Sequence, residues 1–308
     1  MTKRAFIFPG QGSQYPGMGK DLADNFPVAR QLFEEADDAL GSKLSTLCFD
    51  GPEEQLKLTA NTQPAILTAS IAALRVLLAE TGVAADYLAG HSLGEYSALV
   101  AAGSISFADA VRTVRARGTF MQEAVPVGVG AMAAILGVEP DMLAEICAEA
   151  SQGEEVSPAN FNSPGQIVIA GHTGAVNRAI EIAKARGFRK AMLLPVSAPF
   201  HSSLMVPAGE RLAGVLEPII VNDLCAPVVT NVEAKPNSDK SRVKELLVRQ
   251  VSAPVLWDAA VREMVALGVT EFVEIGPGKV LSGLVKRIDK GVVAKNVEDA
   301  AGMKTIGG

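Results

Sequence analysis

The 308-residue sequence predicts an α/β protein, a large domain with a short parallel sheet interrupted by a small βαββαβ domain. Three observations predict it. Short apolar runs ended by Gly or Pro alternate with amphipathic helical stretches up to Val125. Between Gly130 and Val196 the pattern becomes strand, helix, two strands joined by a tight turn, helix, strand. After Pro199 the first style resumes. The large domain is therefore expected in residues 1–127 and 198–308, and the insert, ferredoxin-like by its element order, in 128–197.

Each element has its own warrant. Residues 4–8 are a buried strand, ended by the Gly- and Gln-rich loop Gly10 to Gly17. Amphipathic helices follow at Ala29–Leu40 and Glu53–Leu58. Asn61-Thr62-Gln63-Pro64 opens a long helix, Ala65–Glu80, with Pro64 in the first turn, where its missing N–H costs nothing. Tyr87–Ala89 is a strand, Leu93–Ala102 a helix closed by Gly103, and Phe107–Val125 a helix. In the insert, Gly130–Val138, Glu155–Phe161, Gln166–Ala170 and Arg189–Val196 are strands, and Pro140–Ala150 and Thr173–Arg186 helices. Asn162-Ser163-Pro164-Gly165 is the turn between the middle strands. Beyond it, Pro207–Leu216, Ser241–Val251 and Trp257–Leu267 are helices, Pro227–Thr230 and Glu271–Ile275 strands, and Ala234–Lys240 a polar loop. The small and polar tail from Asp289 is expected to fray.

Composition narrows the function classes. A chain that is 48% hydrophobic buries a sizeable core, and its net charge of −6 argues against a whole-surface nucleic-acid binder. The uncharged run Ala191–Gly209 carries three prolines and His201, so it is no membrane helix, and a cytoplasmic protein without a membrane partner is the expectation. Cys48, Cys147 and Cys225 are far apart and read as buried reduced thiols, and no metal-ligand cluster is evident. Gly10-Gln11-Gly12 lacks the third glycine of a dinucleotide fingerprint, and Gly276-Pro277-Gly278-Lys279 lacks the P-loop spacing.

The sharpest signal is Gly90-His91-Ser92-Leu93-Gly94, a G-x-S-x-G turn between a strand and a helix. A serine there is presented at a helix N-terminus, and the Leu93 N–H can donate to an oxyanion in the same space. The turn makes the large domain α/β-hydrolase-like. Three histidines could serve as base. His91 should point away from Ser92, and His172 reads as a solvent-facing helix entry. His201 sits where the chain leaves the insert, facing an inter-domain cleft, and is the best base by elimination. A standard hydrolase places its histidine near the end, after the acid, so this order argues against one.

Phe8-Pro9-Gly10-Gln11-Gly12-Ser13-Gln14, Gln63-Pro64-Ala65, Gly90-His91-Ser92-Leu93-Gly94-Glu95, Phe200-His201-Ser202 and Glu274-Ile275-Gly276-Pro277-Gly278 form an ordered set. Together they resemble the malonyl-CoA:acyl-carrier-protein transacylases, the acyltransferases of bacterial fatty-acid synthesis. The likeness runs from residue 4 to about 288. It implies that Ser92 is the nucleophile and His201 the general base, oriented by the backbone carbonyl of Gln250. It implies an oxyanion hole from the N–H groups of Gln11 and Leu93. It implies that Arg117 grips the free malonate carboxylate, which a planar guanidinium does with two parallel hydrogen bonds. Helix geometry alone does not choose between Arg115 and Arg117, which flank the apolar stripe of their helix on opposite sides. Gln63, Met121 and Phe200 are expected to line the acyl pocket, with a bulky aromatic before the histidine favouring malonyl over branched groups. Asn162 is a weaker candidate for the same cleft. The implied substrates are malonyl-CoA and acyl carrier protein, with no separate cofactor. That carrier is expected to be acidic, so an acidic chain needs a local basic patch, from Lys184, Arg186, Arg189 and Lys190 or from Lys279, Lys286 and Arg287. A serine hydrolase or thioesterase on the same site, or an acyltransferase of a polyketide pathway, is the alternative.

Overall fold

A computed structural model describes residues 2–196 and 198–306. Ser197, expected as the last residue of the insert, lies outside the described residues, as do Met1, Gly307 and Gly308. Along the chain the elements are β1 (Lys3–Phe8), α1 (Lys20–Asn25), α2 (Pro27–Leu40), α3 (Leu44–Asp50), α4 (Glu53–Leu56), α5 (Thr59–Thr81), β2 (Tyr87–Gly90), α6 (Gly94–Ala101) and α7 (Phe107–Glu123). Next come β3 (Gly130–Leu136), α8 (Pro140–Ser151), β4 (Val156–Ser163), β5 (Gln166–His172), α9 (Thr173–Ala185) and β6 (Ala191–Leu193). The chain continues through α10 (Val206–Leu216), β7 (Val228–Val229), β8 (Pro236–Asn237), α11 (Val243–Ser252), α12 (Trp257–Ala266), β9 (Val269–Ile275), α13 (Val280–Ile288), β10 (Val293–Val297) and α14 (Ala300–Met303).

Two sheets result. The first has the order β10-β9-β1-β2-β7-β8, parallel except for the last pair. The apolar runs that predicted β1 and β9 are buried on both faces, as a helix-covered parallel sheet requires. The second sheet is antiparallel with the order β4-β5-β3-β6, and α8 and α9 close over its apolar face around Ile135, Ile146, Ile169 and Ile180. A seam joins the two parts. Val255 exchanges backbone hydrogen bonds with Ala159 (2.9 Å) and Phe161 (2.9 Å), next to a register shift in β4 between Pro158 and Asn160.

Three expectations need correction. The tail does not fray: β10 pairs with β9, α14 follows, and Val297, Met303 and Ile306 are buried. These three apolar residues pack into the core, whereas Val293 stays exposed. The long helix begins at Thr59, so Pro64 lies inside it and not in its first turn. Tertiary packing extends the helix backward: a side chain on Gly118 of α7 would stand 2.6 Å from the Thr59 carbonyl oxygen. Finally, Cys225 is exposed, whereas Cys48 and Cys147 are buried. Of the described helices, α5 alone is long and apolar enough to cross a membrane, but it is the central core helix, buried against α2 and α7.

Candidate active site

The site forms at the carboxyl ends of neighbouring parallel strands, the usual location in an open α/β sheet. Phe8 at the end of β1 pairs with Gly90 at the end of β2. Beyond Phe8 lies the Gln11 loop, beyond Gly90 the Ser92 turn, and beyond β7 lies Asn231. Close packing explains the glycines. A Cβ on Gly90 would stand 1.9 Å from the Gly94 backbone, one on Gly94 2.1 Å from the Phe8 carbonyl oxygen, and one on Gly10 2.5 Å from the His91 carbonyl oxygen.

Ser92 sits at φ 50°, a left-handed backbone that costs a non-glycine residue about 1–3 kcal/mol. Side chains pin it on both sides. Its N–H donates to Asn231 Oδ1 (2.6 Å), and its carbonyl accepts from Gln250 Nε2 (2.9 Å). The hydroxyl is thereby aimed at His201, with 2.7 Å between Oγ and Nε2. His201 is itself left-handed, at φ 61°. Its Nδ1 lies 2.9 Å from the Gln250 carbonyl and 3.2 Å from that of Ala253. Two acceptors put the proton on Nδ1 and leave Nε2 free to accept from the serine. Burial, with the nearby Arg117 charge, pushes the imidazole pKa down to about 3, so the ring is neutral and ready at neutral pH.

Arg117 is 1% exposed. Its Nη1 donates to Gln63 Oε1 (2.9 Å), and its Nη2 to Gln250 Oε1 (3.0 Å) and Ser92 Oγ (3.1 Å). Its Nε finds no hydrogen-bond partner. It forms no ion pair among the described residues, so a buried cation stands beside the Ser92 hydroxyl, able to receive an anion. Arg115 instead turns outward and donates to Asn61. A cavity of about 120 Å³ opens between the two parts of the molecule, lined by Gln11, Gln63, Ser92, Leu93, Arg117, Met121, Phe200 and His201. It has room for a small acyl group. The backbone N–H groups of Gln11 and Leu93 donate to no other group among the described residues.

Of the ten candidates, eight line this cavity. Gln250 lies behind it and fixes Ser92, His201 and Arg117 together. Asn162 does not reach it. It bonds His91 Nε2 (2.8 Å) beside an adjoining groove formed by Gly10 to Ser13, Gln166, Val280 and Leu284. His91 is thus a hydrogen-bonding residue, and His172 accepts from the Glu155 N–H at the start of α9. Asn160, Asn231 and Glu95 escape the sequence reading as site residues. Asn160 lines the cavity from the seam. Asn231 N–H and Gln250 Nε2 both donate to Glu95 Oε2, at 3.0 and 2.8 Å. Glu95 alone carried a signal: it is the one charge on the otherwise apolar stretch of α6. Among the described residues no cluster of His, Cys, Asp and Glu could hold a metal ion.

Residues 5–306 match the family described as "Acyl transferase domain". The chain is 52% identical to the Malonyl CoA-acyl carrier protein transacylase of Bacillus subtilis, over 97% of this chain and 94% of that protein. It is 49% identical to a crystal structure of an acyl carrier protein S-malonyltransferase from Vibrio cholerae, with a TM-score of 0.96 over 99% of this chain and 100% of the other. It is equally similar, at 49% identity and a TM-score of 0.96, covering 99% and 98% of the two chains, to a malonyl-transacylase in complex with its type II PKS acyl-carrier protein. A serine and a histidine in contact at a strand-to-helix turn, on a chain matched from end to end by these proteins, place it in the acyl transferase domain family, to which it belongs.

Proposed function

We propose that this protein transfers a malonyl group from malonyl-CoA to the phosphopantetheine thiol of acyl carrier protein through an ester on Ser92, supplying fatty-acid elongation. The observation that carries the reading is the contact of Ser92 Oγ with both His201 Nε2 (2.7 Å) and the buried Arg117 (3.1 Å). His201 takes the serine proton as Oγ attacks the thioester carbonyl. The oxyanion rests on the N–H groups of Gln11 and Leu93, each donor worth about 2.7–4 kcal/mol. His201 then protonates the leaving coenzyme A thiol. The carrier's thiol attacks the seryl ester, and the steps run in reverse. Arg117 holds the malonyl carboxylate, with Gln63, Met121 and Phe200 as pocket walls. Coenzyme A arrives with the substrate and phosphopantetheine with the carrier, and the steps use the chain's own side chains.

The groove beside Asn162 adjoins the cavity at Gln11, His91, Asn160 and Leu194, which supports it as the path of the phosphopantetheine arm. Its outer wall is α13, where Lys279 and Lys286 are exposed and form no ion pair among the described residues. Lys184 and Arg186 are neutralised by Glu181, Glu145 and Glu149. Arg189 and Lys190 form no ion pair among the described residues, so it is the place of α13 on the groove wall that favours Lys279, Lys286 and Arg287 as the docking patch. The strand orders support reading the large part as α/β-hydrolase-like and the insert, residues 128–197, as ferredoxin-like. The buried free thiols support a cytoplasmic location.

Intact-mass measurement after incubation with several acyl-CoA esters tests the reading. The expected result is a malonyl adduct on Ser92 that persists until a carrier protein is added. Rapid hydrolysis without a carrier would make the protein a thioesterase. The type II PKS carrier of one relative makes a polyketide pathway the second reading, and carriers of both kinds should be compared.

A further inference from the structure

Behind the Ser92 turn lies a buried carboxylate that the chemistry above does not use. Glu95 is 2% exposed and one residue into α6, behind Ser92. Gln250 links it to Arg117: the amide Nε2 donates to Glu95 Oε2 (2.8 Å), and the amide Oε1 accepts from Arg117 Nη2 (3.0 Å). A single amide therefore separates a buried anion from a buried cation, and the empty site is close to neutral. A malonyl carboxylate docked on Arg117 adds a second anion to the same cation. An uncompensated buried charge costs several kcal/mol, so one of the two carboxylates must give way.

We propose that Glu95 is the counter-charge of Arg117 in the empty site, and that it takes a proton from solvent when the malonyl carboxylate docks on Arg117. The inference rests on the malonyl-transfer reading. In the step, a carboxylate and a proton become a carboxylic acid, and the proton returns to solvent when the acyl group leaves for the carrier. The geometry suits it. Both donors on Glu95 reach Oε2, so Oε1 can carry the proton with neither bond broken.

The surroundings of Glu95 agree. Burial lifts its pKa to about 7, against the opposing pull of the Asn231 and Gln250 bonds and of the Arg117 charge. A bound carboxylate offsets the pull of Arg117 and raises the pKa further, so protons are taken up near neutral pH. Arg117 on α7 and Tyr96 on α6 are the titratable neighbours coupled to it. Arg75 and Glu80 on α5, Lys3 and Arg4 on β1, and Tyr87 on β2 belong to packed elements but do not act on it, and β7 carries no charge. Arg249 on α11 is engaged by Glu233 and Glu245. His201 is held by Ser92 Oγ and the Gln250 carbonyl and His91 by Asn162, and neither acts on Glu95.

The test is proton uptake in weak buffer near neutral pH, read by an indicator dye while intact mass counts esters on Ser92. Malonyl-CoA should draw up to about half a proton per ester, and acetyl-CoA none. Glu95→Gln can keep both hydrogen bonds through its amide oxygen while losing the charge, and its malonyl ester should form without uptake. Uptake that survives in Glu95→Gln would assign the proton to His201 and overturn the proposal. Should that variant not fold, the wild-type pH profile decides. Glu95 gives uptake that shrinks toward about pH 5, where it is already protonated, whereas uptake that grows toward acid is that of a histidine. An ester without uptake overturns this proposal alone, and an unmodified Ser92 overturns the reading beneath it.

Discussion

On the malonyl-transfer reading, Arg117, 1% exposed and 3.1 Å from Ser92 Oγ, is the partner of the acyl carboxylate. Only malonate offers a carboxylate to it, so Arg117→Ala should lower kcat/KM for malonyl transfer far more than for acetyl transfer, on the order of 10²–10³-fold more. Equal losses, measured with both esters, would make the residue structural. Arg117→Lys should recover little, because three contacts at fixed angles, to Gln63, Gln250 and Ser92, need the planar guanidinium. For the other two side chains, Ser92→Ala should abolish the covalent adduct in the mass spectrum. His201→Ala should slow its formation by about 10²–10⁴-fold. Ser92 and His201 were legible in the sequence because a local motif carries one and scarcity of histidine the other. Arg117 was legible only by resemblance, since its burial depends on Gln63 and Gln250, distant in sequence. Asn231 and Asn160 left no local trace, because their partners come from other segments.

At the scale of elements, the Ser92 turn is a packing problem solved by missing side chains. Gly90→Ala would drive a Cβ into the Gly94 backbone at 1.9 Å, where nothing flexible can yield. Urea unfolding should show a loss of more than about 3 kcal/mol, or no folded protein. Gly283 makes the contrast. It lies inside α13 with open space around it, so Gly283→Ala should raise stability by up to about 1 kcal/mol. Strand and helix order was largely legible, because two-residue and 3.6-residue periodicities are local. The start of α5 and the strand β10 were not. The first depends on α7 pressing on Thr59 and Ala60 through Gly118, and the second on an existing β9 edge to pair with.

For the whole molecule, the buried histidine leaves a pH signature. His201 is neutral when folded, with its pKa near 3, and charges near the ordinary 6.5 when unfolded. Its contribution is therefore intact above about pH 6.5 and is lost as pH falls, by about 2 kcal/mol at about pH 5. Relative to wild type, His201→Gln should gain about that much stability between about pH 7.5 and pH 5, in paired denaturant titrations. Glu95 works in the opposite sense: its raised pKa makes folding more favourable on acidification below about pH 7. Wild type should therefore be flatter than either single variant. The split of the chain into two sheets was readable from the change of style at Gly130. How the parts meet was not, since the backbone bonds at Val255 and the side-chain bonds His91–Asn162 and Arg287–Gln166 all join segments far apart in the sequence. Gln250 ties the scales together. Its carbonyl meets His201, and its amide meets the Ser92 backbone and Arg117. The three groups thus share one mechanical reference on α11. Thermal drift of that helix carries them as a set and preserves their spacing, so positional error in the site is correlated and not summed.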